Sequence, residues 1–188
     1  MAKKSKTLIY WLQTAAVRVT RVHFTYIAAY ILATIVFDSW NLYTHTAVRQ
    51  LWTAAGILLV INTVLWFLAR QNYANKSLYV FNVLALVLAD IAFAAYNVYW
   101  QQGLASKSVM LFTVPIVTAA VLRSRSLLLG TTTLCAAAYS TVSVRYFFEN
   151  YGLGYRVELW GTIGLYSAVF FILALLLIII IKPTDEKF

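Results

Sequence analysis

Residues 85–96 read ALVLADIAFAAY, an apolar run with one carboxylate, Asp90, near its centre. A lone acid in such a setting has three uses: holding a proton, fixing one helix against another through hydrogen bonds, or contacting a ligand in a polar pocket. Helical spacing names its neighbours. Asn97 is seven residues on and Gln101 eleven on, so both fall within about 20° of Asp90 on a helix. Tyr79, eleven residues back, lies on the same stripe. Asn62 is ten residues from Trp52, just as Asp90 is ten from Trp100, which puts both about 15 Å below the interface. These equal depths predict an Asp90–Asn62 pair. Pro115, Tyr139 and Cys135 lie in runs that can reach the same level. Lys107 and Arg145 fall near the outer surface, so Asp90 is expected to be protonated or solvated rather than salt-bridged. A packing role and a ligand-binding role both remain open for it.

Other chemistry has little to work with. The chain carries no HExxH, G-x-S-x-G, P-loop or dinucleotide fingerprint. Only one carboxylate lies deep in an apolar run, which excludes a paired-aspartate hydrolase. One cysteine and two histidines are too few for a disulfide framework or a structural zinc site. His23 and His45 fall at opposite ends of the first run and cannot sandwich one haem, so both are expected at interfaces. Neither a catalytic residue nor a metal ligand is assigned, and the chain is not expected to be an enzyme.

The elements that position these residues are membrane spans. The 188 residues are 62% hydrophobic and 11% charged, against about 25% charged in soluble domains. Apolar runs near 20 residues suit helices crossing about 30 Å of hydrocarbon. Six are expected in one domain covering 1–188: 22–39, 51–69, 77–100, 106–122, 126–148 and 159–181. They are continuous rather than alternating, so helices are expected and not a barrel. Residues 7–21, TLIYWLQTAAVRVTR, have an amphipathic pattern and are expected to form an interfacial helix, the alternative being an inward extension of the first span.

Placing the N-terminus in the cytoplasm leaves 11 of the 15 Lys and Arg residues inside, Lys182 and Lys187 among them, and 4 outside. Both termini are therefore expected in the cytoplasm. Trp40, Trp52, Trp100 and Trp160 fall at outer ends, as an aromatic belt requires. The net charge of +9 sits in short loops, which argues against nucleic acid as a partner. In the last span Gly161, Gly164, Ser167 and Ala168 make a small-residue face suited to a second helix, while LALLLIIII is expected to face lipid. Lys182-Pro183 then discourages a long continuing helix.

The stretch ADIAFAAYNVYWQQGLASKSVMLFTVPIVTAAVLRSRSLLLGTTTLCAAAYS, from Ala89, resembles the six-helix membrane sensor module of bacterial sensor histidine kinases. Asp90, Gly103, Ser106, Pro115, Ile116 and Tyr139 match its pattern, while Gln102 and Lys107 replace a glycine and a proline. The resemblance covers about 50 residues and implies a multi-pass protein of the bacterial cytoplasmic (inner) membrane. It also implies signalling through helix packing and, in some such modules, quinone binding by the loop between the third and fourth spans. Such kinases continue past the sixth span into a kinase domain, and none is expected here, so the module is expected either to pass its output to a cytoplasmic protein acting in trans or to have lost its sensing role. The expected pocket is Asp90, Asn62, Asn97, Gln101, Gly103, Ser106, Pro115 and Tyr139, with no resident cofactor and quinone as the ligand implied by resemblance. The expected function is sensory or regulatory, with membrane lipid and a second copy of the chain as further partners. The alternatives are a small-solute transporter and an accessory subunit of a membrane complex.

Overall fold

The computed structural model describes residues 2–103, 106–150 and 156–181, with side chains from residue 9 and, after the last gap, from 157. Lys182, Pro183 and Lys187 lie outside the described residues. Six α-helices follow one another: α1 (Ala2–Ser39), α2 (His45–Ala69), α3 (Lys76–Trp100), α4 (Thr113–Ala120), α5 (Arg125–Asn150) and α6 (Arg156–Ile180). A 3₁₀ helix, Lys107–Phe112, leads into α4. There is no strand among the described residues. Five helices are long and apolar enough to cross a membrane, so this is a multi-pass, all-α membrane protein.

The first helix follows the alternative, an inward extension of the first span, and not the interfacial helix. The interfacial helix at 7–21 and the span at 22–39 are one continuous α1. No glycine or proline interrupts residues 2–39, so nothing breaks the backbone ladder. Leu12 and Ala16, at the supposed interface, are fully buried against Ala69, Tyr79, Val83 and Leu122. Arg18 and Arg21 occupy the exposed side of the same turns, where long side chains reach water. The helix ends where Asn41 takes a left-handed φ of 52°. There the Leu42 amide donates back to the Phe37 carbonyl at 3.0 Å, a Schellman-type stop.

The fourth span, expected at 106–122, is short as its sequence implies but differs in its winding. Lys107–Ala120 forms only a short apolar stretch, rising about 24 Å as one 3₁₀ and one α segment. Pro115 is the third residue of α4, directly after the 3₁₀ helix, and having no N–H it can donate no backbone bond to the preceding turn.

Helix α3 is the hub of the bundle and packs against α1, α2, α4, the 3₁₀ helix and α5. Helix α6 packs against α5 and α4. The main core joins Val87, Ile91 and Ala94 of α3 to Phe112, Ile116, Cys135 and Phe170. The Leu175–Ile180 end of α6 exposes Leu175, Leu176, Ile179 and Ile180, as a lipid-facing surface requires. Gly161 and Gly164 face open space.

Candidate functional site: a polar seam between α1 and α3

Asp90 is buried to 1% exposure, and its partner is His23. The His23 Nε2 lies 2.8 Å from Asp90 Oδ2, and Nδ1 lies 2.9 Å from the Val19 carbonyl. A carbonyl only accepts, so Nδ1 carries a hydrogen. The Nε2–Oδ2 bond needs one further proton, held by either partner. Imidazolium with carboxylate and imidazole with carboxylic acid are both neutral overall, so the pair presents no net charge to the bilayer. This removes most of the about 2.5–3.5 kcal/mol that an ionised aspartate costs at mid-membrane.

The expectation that Asp90 lacks a basic partner is therefore corrected, and so is the interfacial placement of His23. With α1 crossing from Ile9 to Ser39, His23 stands fourteen residues from one end and sixteen from the other. That is mid-span. The Asp90–Asn62 pair is corrected too: Asn62 Nδ2 donates to the Thr20 carbonyl at 3.1 Å. Thr20 and His23 lie one turn apart on α1, so Asn62 of α2 and Asp90 of α3 both bind α1 and not each other.

The same seam continues outward from the pair. Tyr30 donates its hydroxyl to Asn97 Oδ1, and Asn97 Nδ2 donates to the Phe93 carbonyl at 2.7 Å. Both cross-helix pairs, 23 with 90 and 30 with 97, are separated by 67 residues. Equal offsets mean that α1 and α3 run parallel, meeting every seven residues as in a coiled-coil seam. Phe93 packs edge-on to Tyr26 and Tyr30, at 6.2 and 4.8 Å between centroids. Removing the Tyr30 hydroxyl in Tyr30→Phe should lower stability by about 0.6 kcal/mol, the average for interhelical bonds in lipid, as read by reversible unfolding in mixed micelles. A loss no larger than that of Tyr10→Phe, at an exposed position, would mean that the bond holds nothing.

The remaining expected residues separate into other groups. Gln101 Oε1 accepts from Ser108 at 2.6 Å and from Tyr43 at 3.2 Å. Burial pushes the Tyr43 phenol above its ordinary pKa, so it keeps the proton it donates. Ser106 caps the 3₁₀ helix, its hydroxyl accepting from the Ser108 amide at 3.0 Å. Gly103 stands at φ 59° against the Tyr146 ring. Tyr139 sits in the aromatic core with Phe112, Tyr166 and Phe170, and its hydroxyl makes no hydrogen bond to Asp90. Pro115 is buried at the start of α4. Asp90 and Asn97 thus share the seam, Asn62 flanks it from α2, and Gln101, Gly103 and Ser106 tie the end of α3 to the segment that follows. Nothing gathers the eight into one pocket.

Three buried polar atoms along the seam make no hydrogen bond: Asp90 Oδ1, Asn62 Oδ1 and the Tyr26 hydroxyl. Beside it, on the bilayer side, an apolar groove of about 220 Å³ runs between α2 and α3. Ile57, Leu58 and Ile61 form one wall and Ala89, Ala92 and Phe93 the other, with Thr53 and Tyr96 also at its lining. Tyr96 is tied to Gln50 by a hydrogen bond from its hydroxyl. Phe93 belongs both to this groove and to the aromatic contacts of Tyr26 and Tyr30.

The residues missed from sequence are His23, Tyr26 and Tyr30. A signal for two of them was present: His23 and Tyr30 are seven apart, the interval that separates Asp90 from Asn97. Comparison with known proteins finds no matching family model, no matching characterised protein and no matching solved structure.

Proposed function

We propose that this chain is a regulatory membrane protein that responds to a hydrophobic molecule dissolved in the bilayer, with the α1–α3 seam as its switch. The observation that carries the reading is the buried His23–Asp90 pair beside three polar atoms without partners. A regulatory element needs two packings of similar energy, and an under-satisfied polar seam is less firmly fixed than an apolar one. The groove at Phe93 gives a ligand access to the helix face next to the seam. Its apolar walls, with Thr53 and Tyr96 as polar groups, suit an apolar molecule carrying a polar head, quinone among them.

The orientation that puts Arg18, Arg70 and Arg123 in the cytoplasm, with the short Lys107–Ala120 stretch crossing as the sixth span, also puts both termini there. The turns at Arg70–Lys76 and Arg123–Arg125 are then the surface offered to an output protein acting in trans. The resemblance to kinase sensor modules supports the same direction of signalling, in a bacterial inner membrane. A second reading, an accessory subunit of a larger complex, rests on the open Gly161–Gly164 face of α6.

The test uses Cys135, the only cysteine, which is buried in the core shared by α3 and α5. Decylubiquinone added to the protein in nanodiscs should change the rate of Cys135 alkylation by a membrane-permeant maleimide about ten-fold, a population shift of about 1.4 kcal/mol. Ala92→Phe, which fills the groove, should abolish the change. A rate indifferent to the quinone, or a change that survives Ala92→Phe, would rule this site out.

A further inference from the structure

One end of the bundle holds a second cavity, on a different face from the groove. Helix α1 packs chiefly along α2 and α3, and it meets the end of α4 at Val121, Leu122 and Arg123. Between α1, α4 and α6 a cleft of about 730 Å³ remains open. Its rim carries Trp11, Arg18 and Arg123, and its wall is made by Val117, Val121, Leu177 and Ile181. A second cavity of about 400 Å³ adjoins it through Thr14 and Arg18 and adds Arg21 and Arg70. Among the described residues, no aspartate or glutamate lines either cavity.

We infer that this cleft binds one anionic phospholipid, its phosphate held by Arg18 and Arg123 and an acyl chain lying along the α4–α6 wall. The lining has two chemistries in the order a lipid presents them: guanidinium groups at the rim and branched aliphatic side chains below. Arg123 is held for the task in two ways. Its backbone takes a left-handed φ of 54°, which residues other than glycine rarely adopt. Its guanidinium lies 5.1 Å from the Trp11 ring centroid. That contact orients the charge toward the cleft without neutralising it, leaving its donors for phosphate oxygens. An acidic peptide or free phosphate would use the rim alone and leave the wall uncovered. The neighbouring arginines, Arg21 and Arg70, favour a headgroup with net negative charge.

The test is native mass spectrometry of the full chain in mild detergent with equal phosphatidylglycerol and phosphatidylcholine. The wild type should retain one phosphatidylglycerol per chain. Arg18→Gln with Arg123→Gln should weaken retention about thirty-fold. Val117→Trp, at an exposed position with every arginine intact, should weaken it to a similar degree by filling the acyl wall. Arg49→Gln with Arg145→Gln, the same loss of charge away from the cleft, should leave retention unchanged. Equal retention of phosphatidylcholine would overturn the proposal, as would displacement by millimolar inorganic phosphate. Full retention in Val117→Trp would do the same, because it would reduce the effect to surface charge.

Discussion

Replacing Asp90 by leucine lowers the unfolding free energy by about 3 kcal/mol, because it leaves the His23 imidazole buried with Nε2 unpaired. His23→Leu alone leaves the carboxyl in the same position and costs about as much. The two together should return to within about 1 kcal/mol of the wild type, since an apolar pair of similar volume needs no partner. Reversible denaturation in mixed micelles, run as a double-mutant cycle, measures this directly. A double variant as unstable as the sum of the singles would show that the two side chains are not coupled. Asp90→Asn is milder. Its amide can donate to Nε2 while Nδ1 still donates to Val19, so the bond survives with about 0.6 kcal/mol at stake. It fixes the imidazole as neutral and removes the choice of proton position. If the seam is the switch, Asp90→Asn should keep the fold and lose the quinone-dependent change at Cys135.

Gly103→Ala should lower stability by about 2–3 kcal/mol from two separable sources. A Cβ there would stand 2.4 Å from Tyr146 Cδ1 and 3.0 Å from Tyr146 Cβ, close to the root of the side chain where rotation gives little relief. Overpacking of that kind costs about 1–3 kcal/mol. The φ of 59° adds about 1 kcal/mol for any residue with a Cβ. Tyr146→Ala in the same chain should recover the first part and not the second. Thermal unfolding of the single and double variants measures the split. No recovery in the double variant would mean that backbone conformation alone demands glycine here.

The membrane class and most of the helices were legible because runs near 20 apolar residues leave few alternatives in a bilayer. The errors have a common origin in α1. The amphipathic pattern of residues 7–21 suits an interfacial helix, but arginines on the exposed side of a continuous span give the same pattern, since they can reach water from below it. Reading that pattern as interfacial starts the first span thirteen residues too late, at 22 and not at Ile9, and so places mid-span His23 at an end. The partner of Asp90 was lost with it. The stripe Asp90–Asn97 was visible from helical periodicity, but its partners required knowing that α1 and α3 are parallel neighbours. Asn62 was rightly placed near the seam in depth and wrongly paired, since its amide bonds to the Thr20 carbonyl of α1 while Asp90 bonds to His23. Around Pro115 the span was legible as short, at 106–122, but helical spacing does not reveal that Lys107–Phe112 winds as a 3₁₀ helix before α4.

The constant 67-residue offset along the seam also sets an order of events during synthesis. At about 5–20 residues per second, α1 precedes its partner helix by several seconds. In that interval His23 and Tyr30 sit in or beside the bilayer with nothing to bond across the interface, and only Asn62 of α2 arrives earlier. An early α1–α2 hairpin is therefore incomplete, and the arrival of α3 is what makes α1 a settled transmembrane helix. Ribosome-stalled chains ending before Asp90 should show α1 accessible to water-soluble reagents, and chains extending well past Asn97 should show it protected.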